Sequence, residues 1–154
     1  MVLPMSSEAG AVVLDASVTI AISSKEERKE AAASAEILRY SGPGYRFFAP
    51  GAIVTETLYV LCKKLDSGVL SSADHTQSVQ DFHALMGRVL PPPNGDGALI
   101  LRTDAIRGAY SCRRSADGVY IALAEELAAF VTVKGRLDDR TPYRRWQAVP
   151  GRAR

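Results

Sequence analysis

The sequence predicts an α/β domain with a mainly parallel sheet and helices on both faces. Three observations predict it. Short continuous apolar runs, "AVVLD" at 11–15 above all, read as strands covered on both faces. Segments of helical character separate one such run from the next. And 154 residues are enough to bury most of a core without metal or disulfide support, yet too few for two comfortable domains.

Along the chain, residues 1–10 form a loose lead-in and 11–15 the first strand. Helices follow over roughly 17–23 and 26–40, the second carrying an apolar stripe of Ala32, Ala35, Ile37 and Leu38. "SGPG" breaks the chain, Tyr45 to Ala49 reads as the second strand, and Pro50 opens a third helix, since proline suits a first turn. That helix, "PGAIVTETLYVLCKKL", is apolar nearly all round until Lys63, which predicts a central position. "SSADHTQSVQDFHALMG" reads as a fourth helix capped by a Ser or Asp, with Val79, Phe82, Leu85 and Met86 inward. "RVLPPP" is a brief strand stopped by prolines. The segment 94–112 suits a helix better than a strand, although "GALILR" allows either. "SADGVYIALAEELAAF" is a clear helix, followed by the strand "FVTV", a turn region "KGRLDD" and a last short strand near Trp146 to Val149. A single domain over 11–149, with loose ends at 1–10 and 150–154, is the expected organisation.

Composition narrows the class. A hydrophobic fraction of 47% with 23% charged residues is ordinary for a folded soluble protein. Nineteen basic against seventeen acidic residues leave a net charge of +2, which neither demands nor excludes a nucleic-acid partner. Arg113 with Arg114, and Arg144, Arg145, Arg152 and Arg154, form small basic patches that either meet phosphates or are solvated. Cys62 and Cys112, without a close spacing motif, suit core thiols in a reducing cytosol. No signal-peptide pattern and no run near the roughly 20 apolar residues of a membrane span is found, so a cytoplasmic protein without membrane association is expected.

Three carboxylates stand out. Asp15 ends the first strand, where ligands gather in parallel sheets, and reads equally as the N-cap of the helix near Ser17 or as a site residue. Glu56 has apolar neighbours three and four positions away, so it lies at the edge of an apolar stripe or points into a polar pocket. Asp117 heads "DGVYIALAEEL" as a cap. Taken together, all three fall near the starts of elements that would face one sheet edge. Three such acids would raise one another's pKa unless cations held them charged, and hard oxygen ligands suit Mg²⁺ or Mn²⁺. Phosphodiester hydrolysis is the chemistry that uses such a centre, where a metal activates water and offsets phosphate charge.

"VVLDASVTIAI", the "PGAIVTETLYVLCKKL" helix and "SADGVYIALAEELAAFVTV" resemble, in order and spacing, the successive signatures of the PIN domain, and in particular the prokaryotic VapC-type toxins, long labelled PilT N-terminus-like. The likeness runs from about residue 11 to 149. It implies a three-layer α/β/α sandwich, an acidic metal site and Mg²⁺- or Mn²⁺-dependent endoribonuclease activity on RNA. It also implies a homodimer and a small antitoxin partner. Asp15, Glu56 and Asp117 match the metal-holding, catalytic acids; Ser17 matches the hydroxyl residue two after the first acid, Thr132 the threonine closing the fourth strand, and Gly118 stands where an alanine is usual. After that threonine the family reads Thr-x-Asp, whereas Thr132, Val133 and Lys134 occur here. Asp138, Asp139 or Asp104 is a possible substitute for the fourth acid; alternatively Lys134 pairs with a carboxylate and leaves a one-metal or metal-free pocket, and the competing reading is a degenerate domain that binds RNA or a protein without cutting.

The remaining features read as structural. His75 and His83 lack zinc-like spacing, "SGPGYRF" lacks a phosphate-loop pattern, and Tyr40, Tyr45, Phe47, Phe48 and Tyr59 suit a core or dimer face better than a base-stacking platform. Trp146 is expected to pack the last strand rather than contact RNA.

Overall fold

The computed structural model describes residues 10–24, 44–106, 115–127 and 130–132, giving the backbone alone at 115–117 and 130–132. The expected helix over 26–40, the turn at 134–139, the strand near 146–149, both chain ends, Cys112 and the arginine clusters lie outside the described residues.

The element order is β1 (Ala11–Leu14), α1 (Ala16–Ser23), β2 (Arg46–Phe48), α2 (Ala52–Asp66), α3 (Ser72–Met86), β3 (Val89–Leu90), a 3₁₀ turn (Asp96–Leu99), α4 (Ile100–Ala105), α5 (Ser115–Leu127) and β4 (Phe130–Thr132). The four described strands form one sheet in the order β3-β2-β1-β4. Every pairing is parallel, with Val13 opposite Phe48 and Val131, and Leu14 opposite Thr132. The chain is therefore mixed α/β with a parallel sheet.

β1 is paired on both edges, and Val12, Val13 and Leu14 are buried, which is what a continuous Val-rich run demands of a central parallel strand. From β1 the chain steps outward to β2 and then β3, and it next crosses back to β4 on the other side of β1. Right-handed crossovers send the connections of two opposite steps to opposite faces. The helix contacts divide the same way: α1, α2 and α3 pack on one another, while α5 packs on β1, β4 and α4. Val13, Leu14, Val18, Phe48, Ile53, Leu99, Ile106 and residues Tyr120 to Ala124 form the central core.

Four expectations need correction. The third helix begins at Ala52 rather than Pro50; Gly51 is its N-cap, and Pro50 supplies only the carbonyl that accepts from the Ile53 amide at 3.1 Å. Gly51 N–H donates to Asp96 Oδ1 at 2.8 Å, and a Cβ there would fall 2.7 Å from Asp96 Oδ2, so the cap comes from a residue 45 positions on. That helix is also not central. Only Ile53, Thr57 and Leu61 are buried, while Val54, Leu58 and Tyr59 are exposed. Cys62, expected in the core, is exposed on its outer side. Finally, α5 starts at Ser115, which places Asp117 inside the first turn instead of at the cap.

Other elements follow their sequence cues. Ser71 Oγ accepts from Asp74 N at 3.1 Å and donates to Asp74 Oδ2 at 2.8 Å, capping α3. Phe82 is the buried anchor of α3, with Val79, Leu85 and Met86 half-buried beside it and Ser78 buried as well. The segment after the prolines is helical, as the 3₁₀ turn and α4, and buries Leu99 and Ile106. Gly68, at φ +77, ends α2 in the left-handed conformation that favours glycine.

Candidate functional site

The switch in strand order lies between β1 and β4, and in open parallel sheets the crevice at the carboxyl ends of such a pair is where ligands bind. Asp15 is the first residue beyond β1 on that edge. Its backbone is extended (φ −90, ψ 150), and its Oδ2 accepts from Ser17 N at 3.0 Å and from the Ser17 hydroxyl. Asp15 is thus the N-cap of α1. It is also buried, at 6% exposure, where an ordinary surface cap would be solvated. Its burial keeps the site reading open beside the cap reading.

Glu56 lies just over one turn into α2 and is half-buried. The Tyr120 hydroxyl, from α5, donates to Glu56 Oε2 at 3.2 Å, and Glu56 Oε1 is shut off from solvent. Of the two readings open for Glu56, the structure gives the inward one.

A second bond fixes the helix that carries Glu56. Thr19 and Thr57 hydroxyls lie 2.8 Å apart, both fully buried. Thr19 spends its single hydrogen on Ala16 O at 2.9 Å, so Thr57 is the donor to Thr19 Oγ1. Thr57 adjoins Glu56, and Thr19 is one turn from Asp15, so this bond links the helices of both acids near their sheet-edge ends. At the far end of α1, Lys64 Nζ donates to Ser24 Oγ at 3.0 Å and joins the same two helices again.

Position 117 is one turn before Tyr120 on the same face of α5. Its side chain is outside the described residues. Thr132, the last residue of β4, is level with Leu14, so β4 ends beside Asp15. Lys134, Asp138 and Asp139 lie outside the described residues, and Asp104 is exposed on α4. Among the described residues, no group of three or more His, Cys, Asp and Glu is gathered as a metal site. The Asp117 side chain lies outside the described residues, so the described part of the acidic set is Asp15 and Glu56. Two carboxylates at one sheet edge are hard oxygen donors, which fits a divalent cation of the Mg²⁺ or Mn²⁺ kind and not a soft one.

Gly118 is explained by packing: a Cβ there would lie 3.2 Å from Thr103 Cγ2 of α4. The sequence reading missed Tyr120, Thr19 and Thr57. One signal was present, because a phenol inside the otherwise aliphatic "VYIALA" needs an acceptor when buried.

The fold and site define an α/β chain with a buried acid at the switch point of a parallel sheet. No protein-family model matches the sequence, and no curated protein matches it. No helix among the described residues is long and apolar enough to cross a membrane.

Proposed function

We propose that the chain is a metal-dependent endoribonuclease of the PIN type, a three-layer α/β/α sandwich that hydrolyses RNA phosphodiesters with Asp15, Glu56 and Asp117 around Mg²⁺ or Mn²⁺. The observation that carries this reading is the burial of Asp15 at the switch point, with Glu56 turned inward on a helix tied to α1. A divalent cation, when bound, supplies water activation and neutralises charge on the attacked phosphate. The chain's own part is to hold the acids: Ser17 orients Asp15, Tyr120 orients Glu56, and the Thr19–Thr57 bond sets the spacing of α1 and α2. The resemblance extends the proposal to the toxin of a toxin–antitoxin pair, acting in the cytoplasm as a homodimer and restrained by a small antitoxin. A second reading, a degenerate domain that binds RNA or a protein without cutting, rests on Lys134 standing where the family has its fourth acid.

The purified chain, incubated with total RNA and Mn²⁺ or Mg²⁺, is expected to cleave it, and Asp15→Asn is expected to abolish cleavage. Asparagine caps helices about as well as aspartate, so the melting temperature should stay near the parent's. Cleavage by the variant at the parent's rate would refute the assignment. RNA binding without cleavage by the parent would favour the degenerate reading.

A further inference from the structure

We propose that Tyr120 is the positioning residue of the carboxylate site: its hydroxyl fixes the direction of the Glu56 carboxylate and couples α2 to the helix that carries Asp117. This assignment rests on the metal-site reading above. Tyr120 is fully buried, and Phe would fill the same space without a polar group to desolvate. The hydroxyl donates to Glu56 Oε2 at 3.2 Å, across 64 positions of sequence.

The two bonds near Glu56 divide the work. Thr57 to Thr19 fixes the backbone of α2 against α1, but it does not itself touch the adjoining carboxylate. Tyr120 holds that carboxylate from the α5 side. Ordering a flexible glutamate opposes binding, so a carboxylate oriented in advance binds a cation more tightly than one that is not. Hydrogen-bond partners of ligating carboxylates act in this way, and losing one typically lowers metal affinity by about 10- to 100-fold. Tyr120 also follows position 117 by one turn on one helix face. A shift of α5 would therefore move both the Asp117 backbone and the group that orients Glu56, so the two acids keep their relation.

The test is calorimetric titration of the full chain with MnCl₂, comparing the parent, Tyr120→Phe and Ile121→Val, with melting curves for each. Ile121 is the next buried residue of α5, and trimming it reports what core damage alone does to cation binding. The expected result is a loss of Mn²⁺ affinity of about 10-fold or more in Tyr120→Phe with its fold intact, and an affinity within about twofold of the parent in Ile121→Val. Equal affinities in parent and Tyr120→Phe would overturn the positioning role while leaving the metal reading in place. Equal losses in the two variants would overturn it too, by showing a purely structural effect. A parent that binds no Mn²⁺ would overturn both the metal reading and this proposal.

Discussion

α5 and α2 each open near the carboxyl edge of the sheet and each contributes a residue to the candidate site, but they are buried to different depths. From Tyr120 to Ala124, five consecutive residues of α5 are at most 1% exposed, because this helix lies over β1 and β4 and its flanks are covered by α4 and the 3₁₀ turn. α2 packs on α1 and α3, and buries one narrow row, Ile53, Thr57 and Leu61. Its composition up to Lys63 is at least as apolar as that of α5. Apolar content therefore does not set depth here. What sets it is whether the helix covers the central strand pair, and the order of the strands decides that.

The sharpest way to break this comparison is to cut one leucine from each helix. Leu123→Ala should cost about 2–5 kcal/mol, the range for a fully buried leucine whose site cannot collapse. Leu58→Ala, at a position 39% exposed, should cost less than about 1 kcal/mol. Denaturant unfolding of both variants measures the difference. Equal costs would mean that the outer side of α2 is covered in the protein as it exists, and the contrast between the helices would vanish.

A smaller effect probes the inner row of α2. Thr57→Val removes the donor to Thr19 and should cost about 1 kcal/mol. Thr19→Val should cost more, because it strips the acceptor from a buried Thr57 hydroxyl and also ends the bond to Ala16 O. The double variant should cost clearly less than the sum, since replacing both partners leaves no buried hydroxyl of the pair unsatisfied. Strict additivity in unfolding measurements would show that the two hydroxyls do not act on each other.

The contrast also explains how much was legible in advance. β1 and Asp15 could be read because a Val-rich run ending in an acid leaves little choice of structure, and α3 could be read because Ser71 announces its start. The depth of α2 could not be read, since exposure of Tyr59 or Cys62 depends on what lies opposite, and local periodicity does not encode it. Nor could the contacts that shape the site. Tyr120 reaches Glu56 over 64 positions and Asp96 caps Gly51 over 45, and each pairing exists only once the sheet has brought the helix starts together. The acids announce themselves by being charged in apolar surroundings, whereas the groups that orient them look like ordinary core or loop residues.

The finest test concerns how α5 is held on its outer flank. Gly118 lies inside the helix, where alanine is ordinarily better by about 1 kcal/mol. A Cβ there would approach Thr103 Cγ2 to 3.2 Å, so the neighbour would have to yield by a few tenths of an ångström. α4 is not free to yield: Arg102 pairs with Glu125 of α5, and Ile106 just beyond its end is in the core. Gly118→Ala alone should thus change stability by less than about 0.5 kcal/mol, the gain in propensity being offset by the contact. Thr103→Ser removes the methyl in question and keeps the hydroxyl. In that background Gly118→Ala should stabilise by about 0.5–1 kcal/mol, a coupling that a double-mutant cycle would detect. If alanine gives its full benefit with Thr103 in place, close packing by α4 is not what glycine answers at this position, and α5 is less tightly clasped than its buried inner face suggests.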